Sequence, residues 1–343
     1  MNVTSVAISG ASGFVGRHLL TELETRDDIA RIVGIDLREP ARRSPRLDFH
    51  RLDIASGELK PVLDDVDVIV HLAAIADPIP DETFMERVNV EGTRRVLEAA
   101  STARKVIRVS PTTTYGAWAN NPVPLTEDAP IRPNPGFTPA THAAEVERIL
   151  HDWGNEHPAT SVAVFRAAPI VGSTAERMST RLLLGRPPLR ARGAAPPVQA
   201  LHVDDLVRAL VMAITSDLTG TYNVAPDGWI TAEQAAELVG RTVVPALPAE
   251  VLERALTRAW TSGVGDVPPG VVPYLVHPWV VANDRLRATG WTPEYTNEEA
   301  LVVGLEAVEP SEESKRVLAL TIGGAAAVAL GVGVGWLLRR RRG

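Results

Sequence analysis

The 343-residue sequence contains no cysteine. Disulfide bonds, thiolate metal sites and a cysteine nucleophile are thereby excluded. A basic surplus is also missing: 35 Lys and Arg face 42 Asp and Glu, for a net charge of −7. The electrostatic footprint of a nucleic-acid binder is therefore absent, and no nucleic-acid partner is expected. There is no internal repeat. The first ten residues lack the basic and long apolar regions of a secretory leader and lead straight into a strand pattern. What the chain has in quantity is apolar side chains, 45% of the total. At this length that is enough for a large core, in two domains or in one large α/β domain.

One run lacks charge and proline altogether. It runs from Val317 to Leu338, with Lys315 and Arg316 before it and Arg339 to Arg342 after it. At about 1.5 Å per residue it matches the thickness of a bilayer core. The expectation is one C-terminal transmembrane helix over 317–338, a polar linker at 307–316 and a basic tail at 339–343. A buried C-terminal helix is the alternative. The corresponding location is the cell membrane, with a single-pass anchor and the main domain in the cytoplasm.

Upstream, short apolar runs alternate with helical patterns. Strands are predicted at Ser5–Ser9, Ile32–Ile35, Val66–Leu72, Val106–Val109 and Val162–Phe165. Helices are predicted at Gly16–Arg26, Thr83–Ser101 and Ala143–Trp153. Strands that are apolar on both faces and separated by helices indicate βαβ units and a doubly wound parallel sheet of the Rossmann type. After Gly172 the pattern loosens, and Pro and Gly become frequent.

Gly10-Ala11-Ser12-Gly13-Phe14-Val15-Gly16 follows one strand and opens one helix. Glycines permit the tight turn and a close backbone approach to a pyrophosphate, and the helix N-terminus offers free N–H groups to the phosphates. A glycine-rich turn without a ligand is the plainer alternative. Asp36 lies about 20 residues on, where a carboxylate reaches the adenosine ribose hydroxyls. It would repel a 2′-phosphate, which favours NAD over NADP; Arg38 close by works against that preference.

At this point the chain resembles the extended short-chain dehydrogenases/reductases, the NAD-dependent epimerase/dehydratase family. The resemblance rests on Gly10-x-x-Gly13-x-x-Gly16, Asp53-Ile54, His71-Leu72-Ala73-Ala74, Asn89-Val90-Glu91-Gly92-Thr93, Ser110 with Tyr115-Gly116, Arg166-Ala167-Ala168-Pro169 with Gly172, His202-Val203-Asp204-Asp205-Leu206, and Gly290-Trp291-Thr292-Pro293. It covers roughly residues 3 to 306. It implies a Rossmann domain over 1–172, with returning elements from 198–225, and a smaller, mainly substrate-binding lobe over 173–306. The cofactor-binding set it implies, together with the glycine loop, is Gly10, Ser12, Gly13, Phe14, Val15, Gly16, Asp36, Arg38, Asp53, Ile54, Leu72, Ala73, Ala74, Asn89 and Ser110. It also implies a possible homodimer.

The family moves protons with a Tyr and a Lys four residues apart on one helix, and orients substrate with a Ser or Thr. No Tyr-x-x-x-Lys occurs in this chain. The resemblance puts Pro139 at the tyrosine position, Ala143 at the lysine position and Pro111 at the serine position. A structural account exists for the helix start: Thr138 as N-cap with Pro139 in the first turn. As replacement groups the sequence offers Ser110, Thr112, Thr113, Tyr115, Thr138 and His142. His142 follows Thr138 by one helical turn, and an imidazole can act as acid or base near neutral pH. Two functions stay open here. One is an enzyme acting on a sugar nucleotide or lipid-linked substrate with non-standard residues. The other is a catalytically inactive NAD(H)-binding sensor or scaffold at the membrane. No metal site is expected.

Overall fold

The computed structural model describes residues 4–42, 44–172, 190–238 and 246–307. Its centre is a seven-stranded sheet in the order β3-β2-β1-β4-β5-β6-β9, parallel throughout. The strands are β1 (Thr4–Ser9), β2 (Ile29–Asp36), β3 (Leu47–Arg51), β4 (Val68–His71), β5 (Lys105–Pro111), β6 (Ser161–Ala167) and β9 (Gly220–Val224). Two short strands, β7 (Ile170–Val171) and β8 (Leu201–His202), pair separately.

The apolar runs of β1, β4 and β5 are buried on both faces because helices cover both. Alternation sorts their side chains. Val6, Ile8 and Ile107 enter one core with Leu19 and Leu23 of α1 (Phe14–Glu24) and Leu206 and Leu210 of α6 (Val203–Thr215). Ala7, Val33 and Val106 enter the other. That second core includes Val62 of α2 (Lys60–Leu63), Val96 and Leu97 of α4 (Gly92–Ala99), and Ile149 and Leu150 of α5 (Thr138–Glu156). The chain order reverses between β1 and β4, and the carboxyl ends of those strands face one crevice. In such sheets the crevice is where ligands sit.

The predicted helix over 83–101 is broken into α3 (Glu82–Glu86), a π turn (Arg87–Glu91) and α4. Asn89 lies in the π turn. Its side chain accepts from the Ile75 amide (2.7 Å) and donates to the Ile75 carbonyl (2.9 Å), which fixes the loop after β4. π turns of this kind collect at functional sites. Helix α5 begins at Thr138, ahead of the predicted Ala143, since Pro139 suits a first turn. The N-cap is Phe137 rather than Thr138, and the Thr138 hydroxyl instead donates to Glu82 Oε1 at 2.9 Å.

The C-terminal part adds α7 (Ala232–Leu238), α8 (Ala249–Thr261), α9 (Val272–Val276), α10 (Asp284–Arg287) and α11 (Asn297–Ala307). Buried Asp205 of α6 joins it to the sheet layer: its carboxylate accepts from the Glu294 amide (2.7 Å) and the Tyr295 amide (3.2 Å). Trp291, which is buried, donates to the Asp205 carbonyl. His202, from the same motif, caps α6 by accepting from the Asp204 amide.

The expected C-terminal transmembrane helix is corrected. Among the described residues no helix is long and apolar enough to cross a membrane, and the 317–338 run lies outside them. Hydropathy counts apolar residues in a run; it does not fix that the run forms a spanning helix.

Candidate functional site

The glycine loop joins β1 to α1 by very close packing. Gly10 has φ +77°, and a Cβ there would lie 2.7 Å from the Ala73 nitrogen at the end of β4. A Cβ on Gly16 would lie 2.1 Å from the Gly10 carbonyl oxygen. Only glycine allows either approach. Gly13 caps α1 without any side-chain bond, so the first-turn N–H groups are free of side-chain caps and face the crevice with the positive end of the helix dipole. Asp36, half-buried at the end of β2, braces the loop. Its carboxylate accepts from the Ser12 amide and the Arg38 amide, both at 3.0 Å.

Of the predicted cofactor set, Gly10, Gly13, Val15, Gly16, Leu72, Ala74, Asn89 and Ser110 line one groove. Ser12 and Arg38 line a neighbouring depression with Arg17 and His18. Phe14 and Ile54 are core residues, in separate clusters. Ala73 backs onto the core and donates its amide to Ser9 Oγ. The Asp53 carboxylate accepts from the Ala55 amide (2.9 Å) and the Ser56 hydroxyl (3.0 Å), closing the turn after β3. His71 is fully buried between Ser9 Oγ (2.6 Å) and Thr93 Oγ1 (2.9 Å). Burial holds its pKa well below the usual range, with Arg108 acting in the same direction, so it is a neutral strut.

The groove widens into a pocket at α5, where Pro111, Pro139 and Ala143 all form wall. The positions that the resemblance gives to Ser, Tyr and Lys thus converge on one place, and here they make an apolar surface. Ser110, Thr112, Thr113 and His142 line the same pocket, together with Phe137 and Trp279. Thr138 is turned away to Glu82. Tyr115 is buried elsewhere: its hydroxyl donates to Asn223 Oδ1 (2.8 Å) and accepts from Arg166 Nη1 (2.7 Å), and burial pushes its pKa up to about 12. His142 Nδ1 is buried with no hydrogen-bond partner. Burial lowers the pKa of His142, against the opposing pull of Glu86 and Glu82.

Sequence reasoning missed two residues at this wall, Glu147 behind it and Arg108 in it. Glu147 accepts from Arg166 Nε (3.0 Å) and Nη2 (2.7 Å), and from the Ser110 hydroxyl. Arg108 donates from Nη1 to the carbonyls of His71 (3.1 Å) and Ala73 (3.3 Å). Periodicity carried a signal for both. Glu147 falls on the buried stripe of Ala143, Val146 and Leu150, and Arg108 interrupts an apolar strand.

A parallel sheet whose switch point carries a glycine turn, a bare helix N-terminus and an acid on the next strand defines the Rossmann-type dinucleotide-binding class. Within that class the chain belongs to the NAD dependent epimerase/dehydratase family, whose model matches residues 6–225. It is 30% identical to a 3-diazoavenalumate denitrifying reductase from a Streptomyces species, over 84% of this chain and 96% of that one. It is 27% identical to a dTDP-glucose 4,6-dehydratase of Streptomyces griseus, over 69% of this chain and 77% of that one. Among solved structures, the UDP-glucose 4-epimerase of Thermus thermophilus in complex with NAD superposes with a TM-score of 0.69 at 22% identity, covering 89% of this chain and 98% of the epimerase. That likeness is one of fold.

Proposed function

We propose that the groove holds NAD and that the adjoining pocket takes a sugar-nucleotide-like substrate for hydride-transfer chemistry, with His142 handling the proton. The observation that carries the proposal is the loop packing. A Cβ at Gly10 or Gly16 would collide with backbone, so the chain keeps glycine where a pyrophosphate needs close approach to the N-terminus of α1. Asp36 would receive the adenosine ribose hydroxyls, and its charge would disfavour a 2′-phosphate. Bound there, the nicotinamide supplies a hydride acceptor or donor. Relatives in the family are named for sugar-nucleotide substrates, which supports that substrate class.

The chain's own residues define the rest. Pro111, Pro139 and Ala143 offer no proton and exclude water from that wall. His142 lines the pocket, and its lowered pKa keeps it neutral at pH 7, ready to accept a proton from a substrate hydroxyl. Thr112 and Thr113 offer hydroxyls to orient a substrate oxygen.

The test is calorimetric titration of the full chain with NAD, NADH and NADP in separate runs. NAD or NADH is expected to bind more tightly than NADP, with Asp36→Ala weakening NAD and narrowing the gap. Failure of the wild-type chain to bind any dinucleotide would remove the proposal.

A further inference from the structure

Arg108 is a buried cation that the chemistry above leaves unused. It is only 5% exposed, yet it lines the pocket. Two residues separate it from Val106, so it shares that residue's face of the sheet, the one covered by α4 and α5. Ala143 and Glu147 approach the site from α5 on the same side. Nη1 is fixed by the His71 and Ala73 carbonyls at the end of β4, while Nε is buried with no hydrogen-bond partner. An unpaired buried guanidinium N–H is costly and calls for a reason.

Glu147, the carboxylate packed behind this wall, is already bonded by Arg166 and Ser110, so it leaves Arg108 without a direct carboxylate bond. His71 is neutral. Burial lowers the pKa of Arg108 to about 10, which leaves it charged at pH 7. Meanwhile the family's lysine position, on the same wall, is Ala143.

We infer that Arg108 supplies from β5 the pocket cation that α5 lacks at Ala143, and that it positions the hydroxyl-rich ribose on the reacting side of a dinucleotide. The site rests on the reading of the groove as an NAD site. Arg108 stands beyond the glycine loop, at the β4 end next to the pocket that holds Ala143 and His142, so it faces the part of the ligand that ADP does not have.

The experiment is titration of the full chain with NADH and with ADP, for wild type, Arg108→Met, Ala143→Lys and the double variant. Arg108→Met is expected to weaken NADH at least tenfold and to leave ADP within about twofold. Adding Ala143→Lys to Arg108→Met should restore most of the NADH affinity. Equal loss of both ligands, no loss of NADH, or no rescue would each overturn the inference. If Arg108→Met does not fold by circular dichroism, Ala143→Lys alone decides. A second cation beside Arg108 should weaken NADH, and unchanged or tighter binding overturns the inference. Wild type that binds neither ligand overturns the groove reading, and this inference with it. NADH binding that ignores Arg108 overturns this inference alone.

Discussion

Two histidines in contrasting surroundings make the residue scale informative. His142 lines the pocket, and its Nδ1 is buried without a hydrogen-bond partner. Replacing it with Gln is expected to lower turnover about 100-fold or more while leaving the NADH dissociation constant within about twofold. Coupled spectrophotometric assay with UDP- and dTDP-sugars checks the first part, and an equal loss in binding would argue against the proton role. In the wild type the rate should rise with pH through a pKa below the ordinary histidine value and be flat near pH 7, since burial lowers the pKa of His142. His71 is buried and bonded on both ring nitrogens. Its folded-state pKa is depressed, so below about pH 6.5 the unfolded chain takes up a proton that the folded chain refuses. Its contribution to stability is therefore complete above about pH 6.5 and is lost as the pH falls, at up to about 1.4 kcal/mol per pH unit. Urea midpoints at pH 7.5 and 5.5 measure this, and His71→Gln should flatten the difference.

At the scale of elements, α5 is held to the sheet by one charged contact amid aliphatic packing. Glu147 and Arg166 pair at 2.7 Å with side chains 8% exposed each. Glu147→Ala leaves the guanidinium buried without its partner and is expected to cost about 3–5 kcal/mol in urea unfolding. Replacing both with Leu should cost clearly less, because the Arg166 guanidinium is removed together with its carboxylate. If the single variant costs no more than the double, the pair does not hold α5. Elements were also where the sequence was partly legible. The apolar runs of β1, β4 and β5 located the strands because their burial on both faces is written as uninterrupted Val and Ile. Periodicity gives a continuous 83–101 helix, since it does not register a π turn held by Asn89 bonding to Ile75, 14 residues away. Apolar periodicity alone starts α5 at Ala143, whereas Thr138 and Pro139 mark its start to within one residue, because proline is tolerated in a first helical turn.

Across the whole molecule, the C-terminal segment is tied to the sheet layer through Asp205. Its fully buried carboxylate receives two backbone amides and Arg208, and Trp291 packs over the same helix. Asp205→Ala strands both amides and is expected to cost about 2–4 kcal/mol in one cooperative transition. Two separated transitions would show that the segment folds apart from the sheet. The sheet order itself puts the glycine loop, the β4 end and α5 around one crevice, although these pieces are some 130 residues apart in the chain.

The sequence alone determined the strand–helix alternation, the glycine turn with Asp36 and the family motifs, because each is carried by local spacing and by residue types with few conformational options. It also made plain that no Tyr-x-x-x-Lys exists. The tertiary structure decided which of the polar candidates share a space. Ser110, Thr112, Thr113 and His142 reach the pocket, while Tyr115 is drawn off by Arg166 and Asn223, and Thr138 by Glu82. It also brought Arg108 to the pocket and Glu147 behind its wall, and placed Pro111, Pro139 and Ala143 together. Such groupings depend on contacts between residues far apart in the chain, which fix where a side chain points and which partner it meets, and neither composition nor periodicity records them.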